Sequence, residues 1–256
     1  MVIPIFTPPI KEIIMVMRLF KLVKDFILYT GILRIFSPFN KLFLFLYNFN
    51  TMRSWIGKHQ DGLLMNDFYV FERDYDKRYK MFEAIIEHHQ LDSEGILYLE
   101  FGVAQALSFK WWLNRIKNPN AKFVGFDTFE GLPEDWGTFF KKGDMLGNIP
   151  NLNDDRASFV KGIFQDTLND YIDNNKEYIK HKRKVIHMDA DLFSATIFTL
   201  SQFYPYLNKG DIILFDEFNV ANHEYYAFKL FTEAYYVKLK PIAAINNFYQ
   251  VAFVVE

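Results

Sequence analysis

Four apolar strands that each finish in a carboxylate constrain this chain more than any other feature. Residues 96–101 carry Glu100 at their end and run into Gly102. Residues 122–126 lead into Asp127, residues 185–189 end on Asp189 with Asp191 two positions on, and residues 211–215 lead into Asp216-Glu217. Helical patterns over 105–116, 167–175, 193–207 and 222–236 alternate with these strands and with one more at 159–163. A polar-faced helix over 73–89 and a turn at 91–95 precede them. Alternation of this kind predicts a doubly wound, mostly parallel α/β sheet, because parallel neighbours need a helical crossover. Asn246-Asn247 between apolar runs at 241–245 and 249–254 predicts a C-terminal hairpin that adds an antiparallel edge strand.

Composition narrows the function. Half of the 256 residues are apolar and 23% are charged, so the chain can bury a sizeable core. It has no cysteine, which excludes a disulfide framework, zinc-thiolate sites, iron–sulfur clusters and thiol catalysis. The net charge of −2 argues against nucleic acid as the partner.

The charge is uneven. Residues 1–60 hold eight Lys/Arg against Glu12 and Asp25, a net of +6 that leaves −8 for the remainder. Apolar residues at helical spacing from Ile10 to Leu33, interleaved with Lys11, Arg18, Lys21 and Lys24, predict an amphipathic helix. Gly31 and Ser37-Pro38 interrupt it, and a second apolar run follows at 42–47. The charge-free runs are shorter than the ~20 apolar residues of a membrane span, and no small-residue cleavage site marks a signal peptide. Residues 1–68 therefore read as a helical extension and 69–256 as the main domain. Two readings of the extension stand side by side: a cover or homo-oligomer contact, or an anchor on an anionic membrane surface. The expected location is cytoplasmic, with membrane association under the second reading.

Ligands of open α/β sheets bind beyond the carboxyl ends of the strands. Gly102 permits close approach at the first strand-to-helix turn. Asp127, 25 residues further on, has the place and spacing of an acid that bonds ribose hydroxyls. Nicotinamide and S-adenosylmethionine (SAM) enzymes share that arrangement. Residues 103–108 lack the further glycines that a pyrophosphate needs, which favours SAM over NAD. The bland alternative is a plain turn and a solvated acid.

The blocks Glu100-Phe101-Gly102-Val103, Gly125-Phe126-Asp127-Thr128-Phe129-Glu130-Gly131-Leu132-Pro133, His187-Met188-Asp189-Ala190-Asp191-Leu192 and Phe215-Asp216-Glu217-Phe218 resemble the macrocin O-methyltransferase family. The resemblance spans roughly residues 70–256. It implies a seven-stranded Rossmann-like sheet, SAM as methyl donor, a small-molecule acceptor with a sugar or polyol hydroxyl, and often a magnesium ion holding a substrate diol. The family has Gly-Gly where this chain has Ala106-Leu107.

Cofactor contacts are expected from Glu100, Gly102, Ser108, Asp127, Thr128, Gly162, Phe164 and Asp189, with Phe164 either against the adenine or in the core. By resemblance, Asp189, Asp216 and Glu217 match the family's metal positions; oxygen ligands suit Mg2+. His223 and Asp191 are the candidate bases. Capping of the following helices is the structural alternative for Asp191, His223 and Glu224. Residues 131–156 form a long Gly- and Pro-containing loop, a candidate lid in which Trp136 closes the pocket or anchors the loop. Competing readings are a metal-independent or N-directed methyltransferase and a non-catalytic module of the same fold.

Overall fold

The computed structural model describes residues 10–137 and 139–256, so the first nine residues of the predicted extension and Thr138 of the predicted lid lie outside the described residues. It divides into two compact units, one ending at Leu46 and one spanning Tyr47–Glu256.

The first unit consists of α1 (Ile10–Thr30), a 3-10 segment (Ile32–Phe39) and the opening of α2 (Asn40–His59). α1 stops at Thr30 because Gly31 takes φ 60°, a left-handed conformation that breaks the helical run. Neither α1 nor the 3-10 segment buries a single residue.

The second unit is a seven-stranded sheet with helices on both faces. Its strands are β1 (Leu97–Phe101), β2 (Lys122–Asp127), β3 (Ala157–Lys161), β4 (Lys184–Met188), β5 (Ile212–Phe215), β6 (Leu239–Ile245) and β7 (Gln250–Val255). Between them lie α3 (Lys77–His89), α4 (Leu107–Arg115), α5 (Phe164–His181), α6 (Phe193–Phe203) and α7 (Glu224–Tyr235). The spatial order is β3-β2-β1-β4-β5-β7-β6, with β1 to β5 parallel. β1 is buried along its whole length, as a strand covered on both faces must be.

Period-two alternation divides the core. Leu97, Leu99, Phe101, Ile186, Met188 and Phe215 share one apolar layer with α5, α6 and α7. Tyr98, Phe123, Val185 and Leu214 share the other with Phe82 of α3 and Trp112 of α4.

Three differences from expectation bear on the architecture. The antiparallel strand is not at the edge: β7 inserts between β5 and β6 and pairs with both, while β6 takes the edge. The segment before α3 partly covers that edge, through Leu64 N–H on Ile242 O (2.7 Å) and Ala244 N–H on Met65 O (2.9 Å). β3 begins and ends two residues early because α5 starts at Phe164 and Gly162 makes the turn. The division expected at residue 68 falls instead between Leu46 and Tyr47. The cause is α2, whose Met52 and Ile56 are buried in the main core, with Trp55 packed on Phe218, Phe228, Phe248 and Phe253.

Candidate active site

A pocket of about 520 Å³ opens beyond the carboxyl ends of the parallel strands. Gly102, Asp127, Thr128, Phe164, Asp189, Asp191, Asp216 and Glu217 are all on its wall. Glu100, Ser108, Gly162 and His223 are not.

Gly102 sits at the first turn with φ 95°, and a Cβ there would come within 1.8 Å of the Asp189 carbonyl oxygen. Only glycine lets β1 and the end of β4 approach this closely. The next turn is built around Asp127. Its Oδ2 accepts the N–H groups of Val103 (2.7 Å) and Ala104 (2.8 Å), and its Oδ1 accepts that of Phe129 (2.7 Å). The predicted ribose acid thus holds the β1–α4 turn with two bonds and its own loop with a third, while still lying on the pocket wall. Thr128 Oγ1 donates to Gly131 O (2.6 Å), and Gly162 N–H donates to Asp127 O (3.0 Å), tying β3 to the same corner. Where the resembled family has glycine, Ala106 is fully buried at φ 58°, and Ala104 at φ 45° is also left-handed. These residues carry strain that glycine would not.

Glu100 lies beneath the pocket. It accepts hydrogen bonds from Tyr98 Oη and from Ser108 Oγ (2.8 Å), and Tyr98 Oη is 2.9 Å from His187 Nδ1. All four groups are buried. Glu100 and Ser108 therefore support the floor and do not line it, a correction to their predicted place. Phe164 is buried edge-on against Phe101 (5.3 Å), the core reading, and also reaches the pocket wall.

The other end of the pocket is acidic. Asp189, Asp191, Asp216 and Glu217 converge there, with Glu224 behind. Burial, then Asp216 and Asp191, pushes Asp189 well above the usual carboxylate range. Burial, Asp216 and Asp189 do the same to Glu217. Asp191 is pushed up to about 7 by burial and by Asp216 and Asp127. Arg78 from α3 faces this cluster, its Nη1 3.0 Å from Asp216 Oδ2. Burial opposes its charge, but Asp216, Asp189 and Glu217 outweigh burial and hold its pKa up. Tyr249 Oη donates to Glu217 Oε1 (3.3 Å). Asp216 Oδ1, Glu217 Oε2 and Glu224 Oε1 are buried with no hydrogen-bond partner. Orphaned buried oxygens are costly and call for a ligand.

Ligand-bearing atoms of His187, Asp189 and Asp216 lie within 4.8 Å of one another. That set shares two residues with the predicted triad and takes His187 in place of Glu217. Asp191 does not cap α6; Leu192 holds the cap position, and Asp191 sits at φ 59° on the wall. His223 is the residue before α7, with Nδ1 unpartnered, its ring bonded to the Asp191 backbone and its pKa lowered by burial. It stands behind the wall, which displaces it from the predicted role of base.

The loop after β2 folds back on itself. Leu132 N–H meets Asp144 O (2.8 Å), Trp136 stacks on Phe140 (4.9 Å), and both rings line the pocket. Ser194 Oγ at the start of α6 donates to Glu134 Oε1 (2.6 Å), joining this loop to the neighbouring helix. Sequence reasoning missed Arg78, Tyr75, Tyr249 and His187. His187 had a signal, since period two puts it on the same sheet face as Asp189.

Comparison with known proteins follows the same lines. The profile of the macrocin-O-methyltransferase family matches residues 148–252, a stretch that starts after the Gly102 and Asp127 turns. No curated protein matches the chain. A crystal structure of the calicheamicin methyltransferase CalS11 aligns with TM-score 0.56 at 21% identity, over 70% of this chain and 79% of that one. A second, apo structure of CalS11, described as a TDP-rhamnose 3'-O-methyltransferase, gives 0.51 at 19% identity, with the same coverage of 70% and 79%. The O-methyltransferase NovP gives 0.50 at 18%, again over 70% and 79%. At these identities the solved structures speak to the fold alone, and they share it. Over residues 148–252 the chain is similar to the macrocin O-methyltransferases, and its fold is that of the solved O-methyltransferase structures.

Proposed function

We propose that the protein transfers a methyl group from SAM to a hydroxyl of a sugar or related polyol, with a divalent cation at the acidic end of the pocket. The observation that carries this reading is the pair of orphaned buried oxygens, Asp216 Oδ1 and Glu217 Oε2, beside Asp189 on the pocket wall. Hard oxygen donors of this kind fit Mg2+. Asp189 and Asp216 would hold the cation, with Glu217 or His187 beside them, and there it would lower the pKa of an acceptor hydroxyl. SAM supplies a methyl group on a sulfonium centre.

The chain's own residues supply orientation and proton transfer. Gly102 and the turn organised by Asp127 form one side of the cofactor cleft, and Ile163 and Phe164 form an apolar wall for a planar ring. Tyr75 and Tyr249 pack edge to face (5.8 Å) on the pocket wall, giving an aromatic face suited to a sugar. Asp191, on the wall and not among the residues that would hold the cation, would accept the acceptor's hydroxyl proton as the new carbon–oxygen bond forms. That CalS11, described as a TDP-rhamnose 3'-O-methyltransferase of calicheamicin biosynthesis, shares the fold supports a sugar acceptor.

A second reading rests on the Arg78–Asp216 pair at 3.0 Å: the guanidinium supplies the positive charge and no metal is needed. Methyl transfer from labelled SAM to a panel of nucleotide sugars and free polyols, before and after EDTA with Mg2+ add-back, separates the two. Loss and recovery of turnover supports the metal. Turnover indifferent to chelator supports Arg78. A panel that accepts no methyl group while SAM still binds overturns the sugar acceptor.

A further inference from the structure

The first unit has more apolar surface than a chain in water can leave uncovered. α1 is 21 residues long with none buried. Ile10 is 76% exposed, Leu19 61%, Phe20 71%, Leu22 68%, Phe26 60% and Leu28 72%. Monomeric soluble proteins rarely present contiguous apolar patches beyond a few hundred Å². Burial of such side chains is worth roughly 1.5–3 kcal/mol each, so a partner is strongly favoured.

The charges say which partner. At 3.6 residues per turn, Lys11, Arg18, Lys21 and Lys24 recur at steps of seven, three and three and share one side of α1. Val16, Leu19, Phe20, Leu22, Val23, Phe26 and Ile27 occupy the other, broken only by Glu12 near the start. Through Leu46 the described part of the unit carries six cations against two carboxylates. A second copy of this unit packed through the same apolar face would cover that face but leave the six cations without counter-charges. An anionic lipid surface instead takes the apolar face into its acyl boundary and the cations at its headgroups. The geometry is in-plane, because no described helix is long and apolar enough to cross a membrane.

We propose that residues 10–46 dock the enzyme on anionic lipid bilayers, with the α1 apolar face inserted and the Lys11–Lys24 side toward phosphate headgroups. This inference stands apart from the methyl-transfer reading. The test uses the full chain and two variants at exposed positions that leave the catalytic unit intact: Arg18→Gln/Lys21→Gln/Lys24→Gln, and Phe20→Glu/Phe26→Glu. Each is sedimented with phosphatidylcholine vesicles and with vesicles containing 30% phosphatidylglycerol, at low and high salt, while light scattering reports mass. The wild-type chain is expected to pellet with the anionic vesicles, less so at high salt. The triple Gln variant is expected to bind about 100-fold more weakly, and the Glu pair to stay in the supernatant. Equal partition of all three proteins, or of both vesicle types, overturns the proposal. So does a wild-type protein that ignores vesicles and forms an oligomer that the Glu pair abolishes, which would make a second copy the occupant.

Discussion

Two carboxylate sites at the ends of the same sheet have opposite hydrogen-bond accounts. Asp127 accepts three backbone N–H groups at 2.7–2.8 Å and has become part of the loop it organises. Asp216 and Glu217, three strands away, each keep one buried oxygen without a partner and crowd against Asp189 and Asp191. At the opposite end of β4 and β5, buried Asp211 is paired with buried Lys184 at 3.0 Å and takes two more backbone N–H groups. The fold thus satisfies its acids where they serve structure. The difference teaches that a strand-end acid is not by its position a ligand-binding acid; unmet acceptor capacity marks the one that awaits something.

The sharpest way to break this contrast is Asp216→Asn. The substitution keeps shape and relieves repulsion in a crowded cluster while weakening the Arg78 pair, so the fold should survive. Turnover should fall by a factor of order 10²–10⁴, the range for losing one activating group, while calorimetry shows SAM affinity within about twofold. Wild-type turnover in this variant would make the acidic end structural, like Asp127.

Asp127→Ala tests the other side. It strands the N–H groups of Val103, Ala104 and Phe129, at a cost of about 1.5–3 kcal/mol in stability for charge-assisted bonds. SAM binding should weaken by about tenfold through the loosened turn. If affinity drops while the denaturation midpoint stays put, Asp127 is a ribose ligand after all and the contrast fails.

Arg78→Gln asks whether the guanidinium and a cation compete for Asp216. Removing the positive charge should tighten Mn2+ binding by roughly tenfold, moderated by solvent and salt. Manganese affinity that does not change would mean that Arg78 and the cation use separate oxygens.

Alternating strands and helices were readable because period two and period 3.6 differ along the chain, and the turn at Asn246-Asn247 followed from residues that tolerate positive φ. Strand-end acids were readable for the same reason. Their partners were not: nothing in a polar-faced helix says that Arg78, rather than its neighbours, reaches Asp216. Nor does position alone separate Glu100, sealed under the floor by Tyr98 and Ser108, from Asp189 on the wall. The extension's boundary failed on α2, where Asn48, Met52 and Ile56 repeat at four-residue steps and bury one stripe of a helix whose opening turns are exposed. That stripe lies in a stretch where Asn48, Asn50, Thr51, Arg53 and Ser54 are mixed with apolar residues, directly after the apolar run at 42–47, so no clean face marked it.

The smallest effect concerns the turn that Asp127 holds. Ala106 is fully buried at φ 58°, immediately before α4, where the resembled family has glycine. A left-handed L-residue costs about 1–2 kcal/mol relative to its right-handed form, and glycine returns part of that gain through its greater unfolded-state entropy, about 0.5–1 kcal/mol. Ala106→Gly should therefore stabilise the protein by about 0.5–1 kcal/mol, read as a higher urea midpoint with unchanged slope. Because the two bonds from Val103 and Ala104 to Asp127 already fix this turn, SAM affinity should move by less than about threefold. A large gain in SAM affinity would show that the alanine distorts the cofactor cleft and that Asp127 does not hold the turn alone. A loss of stability would show that the alanine methyl packs in the core with more energy than its backbone strain removes.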